Sequence, residues 1–590
     1  ELREQQFAGR QRIGQRVVLA VGGQAVPRAG CRKTICPAAD EVGIEPALER
    51  QRADRPDRER DAEVRPGHAG DHPAFDRRTM RDHDAPRERP DQFAHDAAET
   101  VPRPRPLFAD PVDRDGIVIE PASAFNVEGS RGAEIDPAHV EDQPTGLQHM
   151  RIACETIEKR KKEIVGLAQQ VLANPEAGFR EVKTAQLVAE KFQELGISHQ
   201  SGLALTGLKG RIKGGAGDGP SVAVIGELDS LVVTEHPHAD PDTGAAHACG
   251  HHCQIGMMLG ATMGLLTPEV TAQLAGEIVP FAVPAEEFIE VEQRLEMRNQ
   301  GKLEFLGGKQ ELIRLGEFDD VDIAMMCHTA SDMGERRFAM GGTSNGHVVK
   351  FVRYTGVGAH AGSLPHRGVN ALNAASFAIQ AINALRETHR ADDTVRIHGI
   401  MTRGGEAVSA VPSDVRLEWR VRSATPKVVV ENSEAVDRCF RAGAMAVGAS
   451  VNITTIPGYL PMRHDTKLQD IFRRTAIGLL GEQSTLVMPA RRNRGGSTDM
   501  GDLSHIMPAC HPYTAGAVGP GHSKEYVITD YESAVIVPAK IMAMVVIELL
   551  ADGAKRAKEV KANHRPLLTK QAYVKFQRER AEITEFDGAA

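Results

Sequence analysis

From residue 150 onward, short β-type apolar runs that end in carboxylates alternate with helical stretches. SVAVIGELDSL (221–231) is followed by HACGHHCQIGMMLGATMGLL, a loop that runs into a helix. GEIVPFAVPAEEF comes next, a strand closing on two adjacent glutamates. This alternation implies a mostly parallel sheet with helices on both faces, since parallel strands need crossovers that cover the sheet. Ligand sites in such sheets form beyond the carboxyl ends of the strands, where the acidic residues of this chain fall. Upstream, RIACETIEKRKKEIVGLAQQVLANPEAGFRE reads as an amphipathic helix ending near Asn174-Pro175, and TAQLVAEKFQELGI as a second helix.

A different pattern occupies 345–452. GHVVKFVRYTG reads as a strand and GVNALNAASFAIQAINALRE as a long helix. VRIHGIMTRGG and DVRLEWRVRS read as strands, and VVVENSEAVDRCFRAGAMAVGAS as a second helix. VNITTIPG closes the unit as a last strand, and the order βαββαβ is that of a ferredoxin-like split unit. The expected architecture is therefore an α/β catalytic domain (150–344 and 453–562) with an inserted ferredoxin-like α+β lid or dimerisation domain (345–452). The end, 563–590, reads as a surface extension.

Residues 1–149 differ from the rest. They contain 21 Arg, a single Lys (Lys33), and no Tyr or Trp, with neither a 3.6 nor a 2.0 apolar period. Such a segment buries too little apolar surface to offset its ordering entropy, which reads as a disordered tail. Its Arg-, Asp- and Pro-rich text equally resembles GC-rich DNA translated upstream of a start at Met150. The interleaved Asp and Glu cancel most of the Arg charge and argue against a nucleic-acid arm.

The net charge of -9 gives no reason to expect nucleic acid or an anionic membrane as partner. No apolar run of about 18 residues is evident, so no membrane span is expected. The eight cysteines are scattered through 590 residues, which fits a reducing compartment, with the cytoplasm as default, and ligand thiols rather than a disulfide scaffold.

Five motifs carry chemistry. His247, Cys249 and His251 lie within HACGH; thiolate and neutral imidazole are good ligands for zinc and related ions. Glu286 and Glu287 are adjacent at a strand end, where one carboxylate can bind metal while the other takes a proton from metal-bound water. His328 follows an apolar strand in MMCHTA, and His522 sits in the Gly-rich GPGHSKEY. His360 lies in GAHAGSLPHRGVNAL, a small-residue turn before a helix.

Together these stretches, with NPEAGFRE, GGEAVSAVPSDVRLEWRVRS and GGSTDMGDLSH, resemble the aminoacylase/carboxypeptidase type of metallopeptidase. The likeness covers about 150–575. Within that family it points to the amidohydrolase branch, which includes aminobenzoyl-glutamate hydrolase and the plant hydrolases of indole-acetyl-amino acids; GELDSL and GGSTDMGD look most like the former. The resemblance implies two divalent metal ions, manganese or zinc with cobalt as a further choice. Cys249 is then the bridging ligand, and His251, Glu287, His328 and His522 are the others. It implies Glu286 as general base, Asp229 as a carboxylate orienting a ligand, and His360 reaching the substrate carbonyl, often from the partner subunit. A homodimer and a small-molecule amide substrate, an N-acyl or N-aroyl amino acid, follow. Asp499 is placed near the site with no derivable role.

The chain departs from the branch after HACGH, where His252, Cys253 and Gln254 replace the usual D-G-H. His252 reads either as an added group beside a ligand or as a tolerated change, and Cys253 as a packed helix thiol. Ser409 replaces an Asn that helps hold the substrate carboxylate in relatives, so Arg367 and Arg403 are candidates to hold it instead. The loop 232–246, with His236, His238 and two Asp, reads as a rim that shapes the pocket, with an added metal contact as the alternative. A dipeptidase or a hydrolytic deaminase would use the same two-metal machinery. A catalytically inactive binding protein on this fold would show lost ligands or a lost base, and none is lost.

Overall fold

The computed structural model describes residues 146–590. The disordered-tail and upstream-translation readings of 1–149 fall almost wholly outside the described residues. The central sheet has six strands in the order Ser198–Leu203, Gly207–Lys213, Glu277–Val283, Ser221–Glu227, Ile323–Met325, Ala509–Cys510. The last four are mutually parallel, whereas the first two pair antiparallel. The sheet is thus mixed, with a parallel centre and an antiparallel flank.

Because side chains alternate along a strand, the two faces build two cores. Val222, Val224, Ile278 and Ala282 pack against the helices on one side. Ala223, Ile225, Val279 and Phe281 pack on the other. The long expected N-terminal helix is two, Leu147–Lys159 and Lys161–Leu172, separated at Arg160. The helix His251–Leu265 is buried along all 15 of its residues. It fits because glycines recur every four residues on one face. A Cβ at Gly256 would meet Ala168 Cβ at 3.0 Å, and one at Gly260 would meet Ala539 Cβ and Ile164 Cγ2 at 3.1 Å. The stretch Glu532–Asn563 is long and apolar enough to cross a membrane, a feature missed in the sequence, and 89% of its apolar window is buried within the protein. It packs on His251–Leu265 as a core helix.

The inserted unit runs from the strand Gly346–Thr355 to the strand Ser450–Pro457, with the expected βαββαβ order. Its helices Ala371–Ala384 and Pro426–Val447 cover one face of an antiparallel sheet. Along Asp414–Ser423 every second residue is buried under those helices. The other face carries Arg416, Arg420 and Arg422, which reach Glu292, the Phe288 carbonyl and Ser497 of the catalytic part. The C-terminal segment is not the surface extension read from its polar sequence. Tyr573 and Gln577 are fully buried, and Glu582–Asp587 adds a fifth strand to the inserted sheet, antiparallel to Ser450–Pro457. Backbone pairing, invisible in composition, recruits it.

The tight helix contact at Gly260 predicts that Gly260→Leu will lower stability by about 1–3 kcal/mol, the usual cost of overpacking. A fall in the urea midpoint at unchanged m-value is the expected readout.

Candidate metal centre

Three neighbouring parallel strands deliver the site residues at their carboxyl ends. Ser221–Glu227 ends on Glu227, with Asp229 two residues beyond; Glu277–Val283 leads to Glu286 and Glu287; Ile323–Met325 leads to His328. Backbone geometry does the aiming. Gly250 has φ +88°, and a Cβ there would lie 2.1 Å from Thr329 Oγ1, so only glycine lets the chain turn between Cys249 and His251. Ala285 adopts φ +50°, and its N–H donates to buried Glu181 Oε1 at 2.8 Å, fixing the loop that carries the two glutamates. His522 also lies at positive φ (+65°), with its N–H donating to Ala248 O at 2.9 Å, which ties its loop to the HACGH turn.

These constraints gather donor atoms into three overlapping groups, each within 4.8 Å: Cys249, His251 and His328; Cys249, Glu287 and His522; Glu227, His251 and Glu286. Cys249 Sγ lies 3.3 Å from His328 Nε2 and His522 Nε2 lies 3.4 Å from Glu287 Oε1. Asp229 stands behind them. Its main-chain oxygen and Oδ1 lie 2.9 and 3.3 Å from His251 Nδ1, and its Oδ2 accepts the Glu287 N–H at 2.8 Å.

The cluster is short of positive charge. Burial, then Glu227, Glu287 and Asp499, push the Glu286 carboxyl well above the usual range. Burial and Glu287 likewise raise the Cys249 thiol. Burial opposes charge on His251, yet Glu227 and Cys249 hold its imidazole well above its ordinary pKa. Burial also opposes ionisation of Glu227, but Lys309, His251 and His328 bring it down to about 2. His251 Nε2 and Glu287 Oε1 are buried without a hydrogen-bond partner. Thiol, imidazole and carboxylate donors converging on one another fit divalent cations.

Sequence reasoning missed Glu227 and Lys309. Lys309 is fully buried; its Nζ donates to Glu227 Oε1 at 2.6 Å and to Asp499 Oδ1, and its backbone N–H donates to Asp499 Oδ2. This gives Asp499 a definite partner. The only signal was a lysine in the apolar stretch after GG at 307–308. Tyr459 also donates its hydroxyl to the Glu286 carbonyl.

Other sequence candidates stand apart. His247 belongs to none of the three donor groups although it shares HACGH. His360 is exposed on the inserted domain, and no hydrogen bond, ion pair or ring contact among the described residues joins it to the cluster. Its Nδ1 accepts the N–H groups of Gly362 and Ser363, both at 3.1 Å. Ser409 and Arg367 are exposed on the same domain. Arg403 is already paired with Glu406 and Asp414.

Residues 340–444 match the family model of a peptidase dimerisation domain, M20_dimer. The chain is a relative of the M20 peptidases and amidohydrolases. It is 27% identical over 343 residues to the Xaa-Arg dipeptidase of Mus musculus, covering 55% of this chain and 73% of that protein. It is 25% identical over 368 residues to the IAA-amino acid hydrolase ILR1-like 4 of Arabidopsis thaliana, covering 60% and 78%. Its fold is similar to that of the YXEP protein of Bacillus subtilis, a dinuclear metal-binding peptidase of the M20 family. The TM-score is 0.50 at 18% identity, over 67% of this chain and 99% of that one. The family resemblance seen in the motifs, plant amino-acid-conjugate hydrolases included, holds.

Lys309→Met would leave two buried carboxylates facing each other without their cation. Breaking a buried pair in this way is expected to cost about 3–5 kcal/mol, measured as a lower urea midpoint of the metal-free protein.

Proposed function

We propose that this protein is a metal-dependent amidohydrolase that cleaves the amide bond of an N-acyl or N-aroyl amino acid with an activated water. The observation that carries this reading is the shared position of Cys249. Its sulfur belongs to two donor groups at once, beside the buried Glu286. Cys249 with His251 and His328, and Cys249 with Glu287 and His522, would hold two cations, the thiolate being shared between the two sets. The ligand set suits zinc, and manganese and cobalt are the alternatives to test with it. Bound there, two divalent ions would lower the pKa of a shared water and polarise the amide carbonyl.

The chain's own groups supply the rest. Glu286 is the general base: burial, then crowding by Glu227, Glu287 and Asp499, raises its proton affinity, which suits it to accept a proton from water and pass it to the leaving amine. Asp229 orients His251 and the Glu287 backbone. His360 accepts two backbone N–H groups on Nδ1, so its neutral form carries the proton on Nε2 and presents a donor to a developing oxyanion. Since His360 is exposed on the inserted domain, it acts after domain closure or from a partner subunit, and the peptidase dimerisation domain supports a homodimer.

The relative named Xaa-Arg dipeptidase favours a second reading, a dipeptide as substrate. A hydrolysis screen of acyl-amino acids, aroyl-amino acids and free dipeptides, each with manganese, zinc or cobalt, separates the two. Cleavage of acyl or aroyl conjugates alone is expected, and cleavage of dipeptides alone would replace the substrate assignment.

Cys249→Ala should lower the metal content by two ions per chain, read by elemental analysis; a loss of less than one ion would remove Cys249 as a bridge. Glu286→Gln should retain the metal and lower kcat by about 10²–10⁴-fold, the range of general acid–base catalysis. Undiminished turnover in that variant would take the base assignment from Glu286.

A further inference from the structure

We propose that a cavity behind the HACGH loop is a separate transition-metal site, held by His247 and His252, with His238 at its mouth. The cavity measures about 390 Å³ and lies between the end of the helix Lys161–Leu172, the HACGH loop and the segment 526–531. Four imidazoles line it: His236, His238, His247 and His252. Along the HACGHH turn, Cys249 and His251 join the catalytic cluster while His247 and His252 line this second space.

The two histidines are buried, at 2% and 1% exposure, and poorly partnered. His247 has a backbone hydrogen bond at Val171 and no side-chain partner, and Nδ1 of His252 has none, its Nε2 meeting only Cys253 Sγ at 3.4 Å. A buried polar group left unsatisfied is destabilising, so such groups call for a partner. Their spacing suits a shared one. With metal–nitrogen bonds of about 2.0–2.1 Å, two imidazoles on one tetrahedral ion have ring centres about 5 Å apart; the rings of His247 and His252 lie 5.3 Å apart, tilted by 55°.

The lining also selects the ion. It contains no carboxylate, the ligand calcium and magnesium sites rely on, whereas neutral imidazoles suit zinc, copper and nickel. His236 is already engaged: its Nε2 contacts Tyr526 O at 2.9 Å and its Nδ1 accepts the His238 N–H at 3.1 Å. It holds the 232–246 loop over the cavity and sets His238 at the mouth. His238 and Gln169 are exposed and give the ion a way in. Because His247 and His252 bracket Cys249 and His251 in the chain, an ion here braces the turn that carries two catalytic-cluster donors.

The inference does not depend on the hydrolytic reading, and the test separates the two. Full-length protein, the Cys249→Ala variant and the double variant Cys249→Ala with His252→Asn are incubated with excess zinc, desalted and analysed for metal. Cys249→Ala is expected to keep one zinc per chain and the double variant none. Copper(II) added to Cys249→Ala should give an electron paramagnetic resonance spectrum with nitrogen hyperfine coupling, absent from the double variant. His238→Ala, a surface change that leaves the fold intact, should weaken zinc binding to Cys249→Ala at least tenfold. Equal zinc content in single and double variants, or no nitrogen coupling, overturns the proposal and leaves the cavity to water.

Discussion

The ammonium of Lys309 is fully enclosed between Glu227 and Asp499, and the electrostatics of the site are arranged around it. Isolated buried carboxylates would take up protons. Glu286, Glu287 and Asp229 crowd the same space. Burial and this crowding raise the proton affinities of Glu286 and Cys249, and Glu227 and Cys249 raise that of His251 against its burial. The same crowding that would be a liability in a core makes a strong cation site at the ends of the strands, because the attraction acts in a medium of low dielectric.

Holding these groups in place takes backbone conformations that most residues avoid. Gly250, Ala285 and His522 all sit at positive φ, each in a segment that presents a donor to the cluster. For Ala285 and His522 such a conformation costs of order 1–3 kcal/mol and persists only where its surroundings fix it. Here the fixing contacts are identifiable: Glu181 beneath Ala285, and the Ala248 carbonyl for His522. The rigid base of this arrangement is the buried helix His251–Leu265, whose glycine face lets neighbouring helices approach to contact distance.

The inserted domain is joined to the catalytic part by more than its two chain crossings. The C-terminal strand Glu582–Asp587 pairs with its edge, and Gln577 and Arg580 donate to the carbonyls of Gly458 and His347, next to the two crossings. Any closure that carries His360 toward the metal cluster has to work against these contacts. Arg416, Arg420 and Arg422 form a second attachment to the catalytic part, one ion pair and two hydrogen bonds. The charged face of this strand is therefore an inter-domain surface rather than solvent-facing.

The sequence by itself determined the α/β class, the βαββαβ insertion and the candidate ligands at Cys249, His251, Glu287, His328 and His522. Periodicity and local motifs encode strand ends and donor types, and those survive without coordinates. Only the tertiary structure decided which donors converge. It placed Cys249 in two groups, turned His247 out of the cluster despite its place in HACGH, and brought in Glu227 and Lys309. It also showed that 563–590 sends Tyr573 and Gln577 into the core and a strand to the inserted sheet, and that the antiparallel flank breaks the parallel pattern. The physical reason is common to all of these. Convergence, side-chain direction and strand pairing depend on contacts between residues far apart in the chain, and no local pattern of residue types records them.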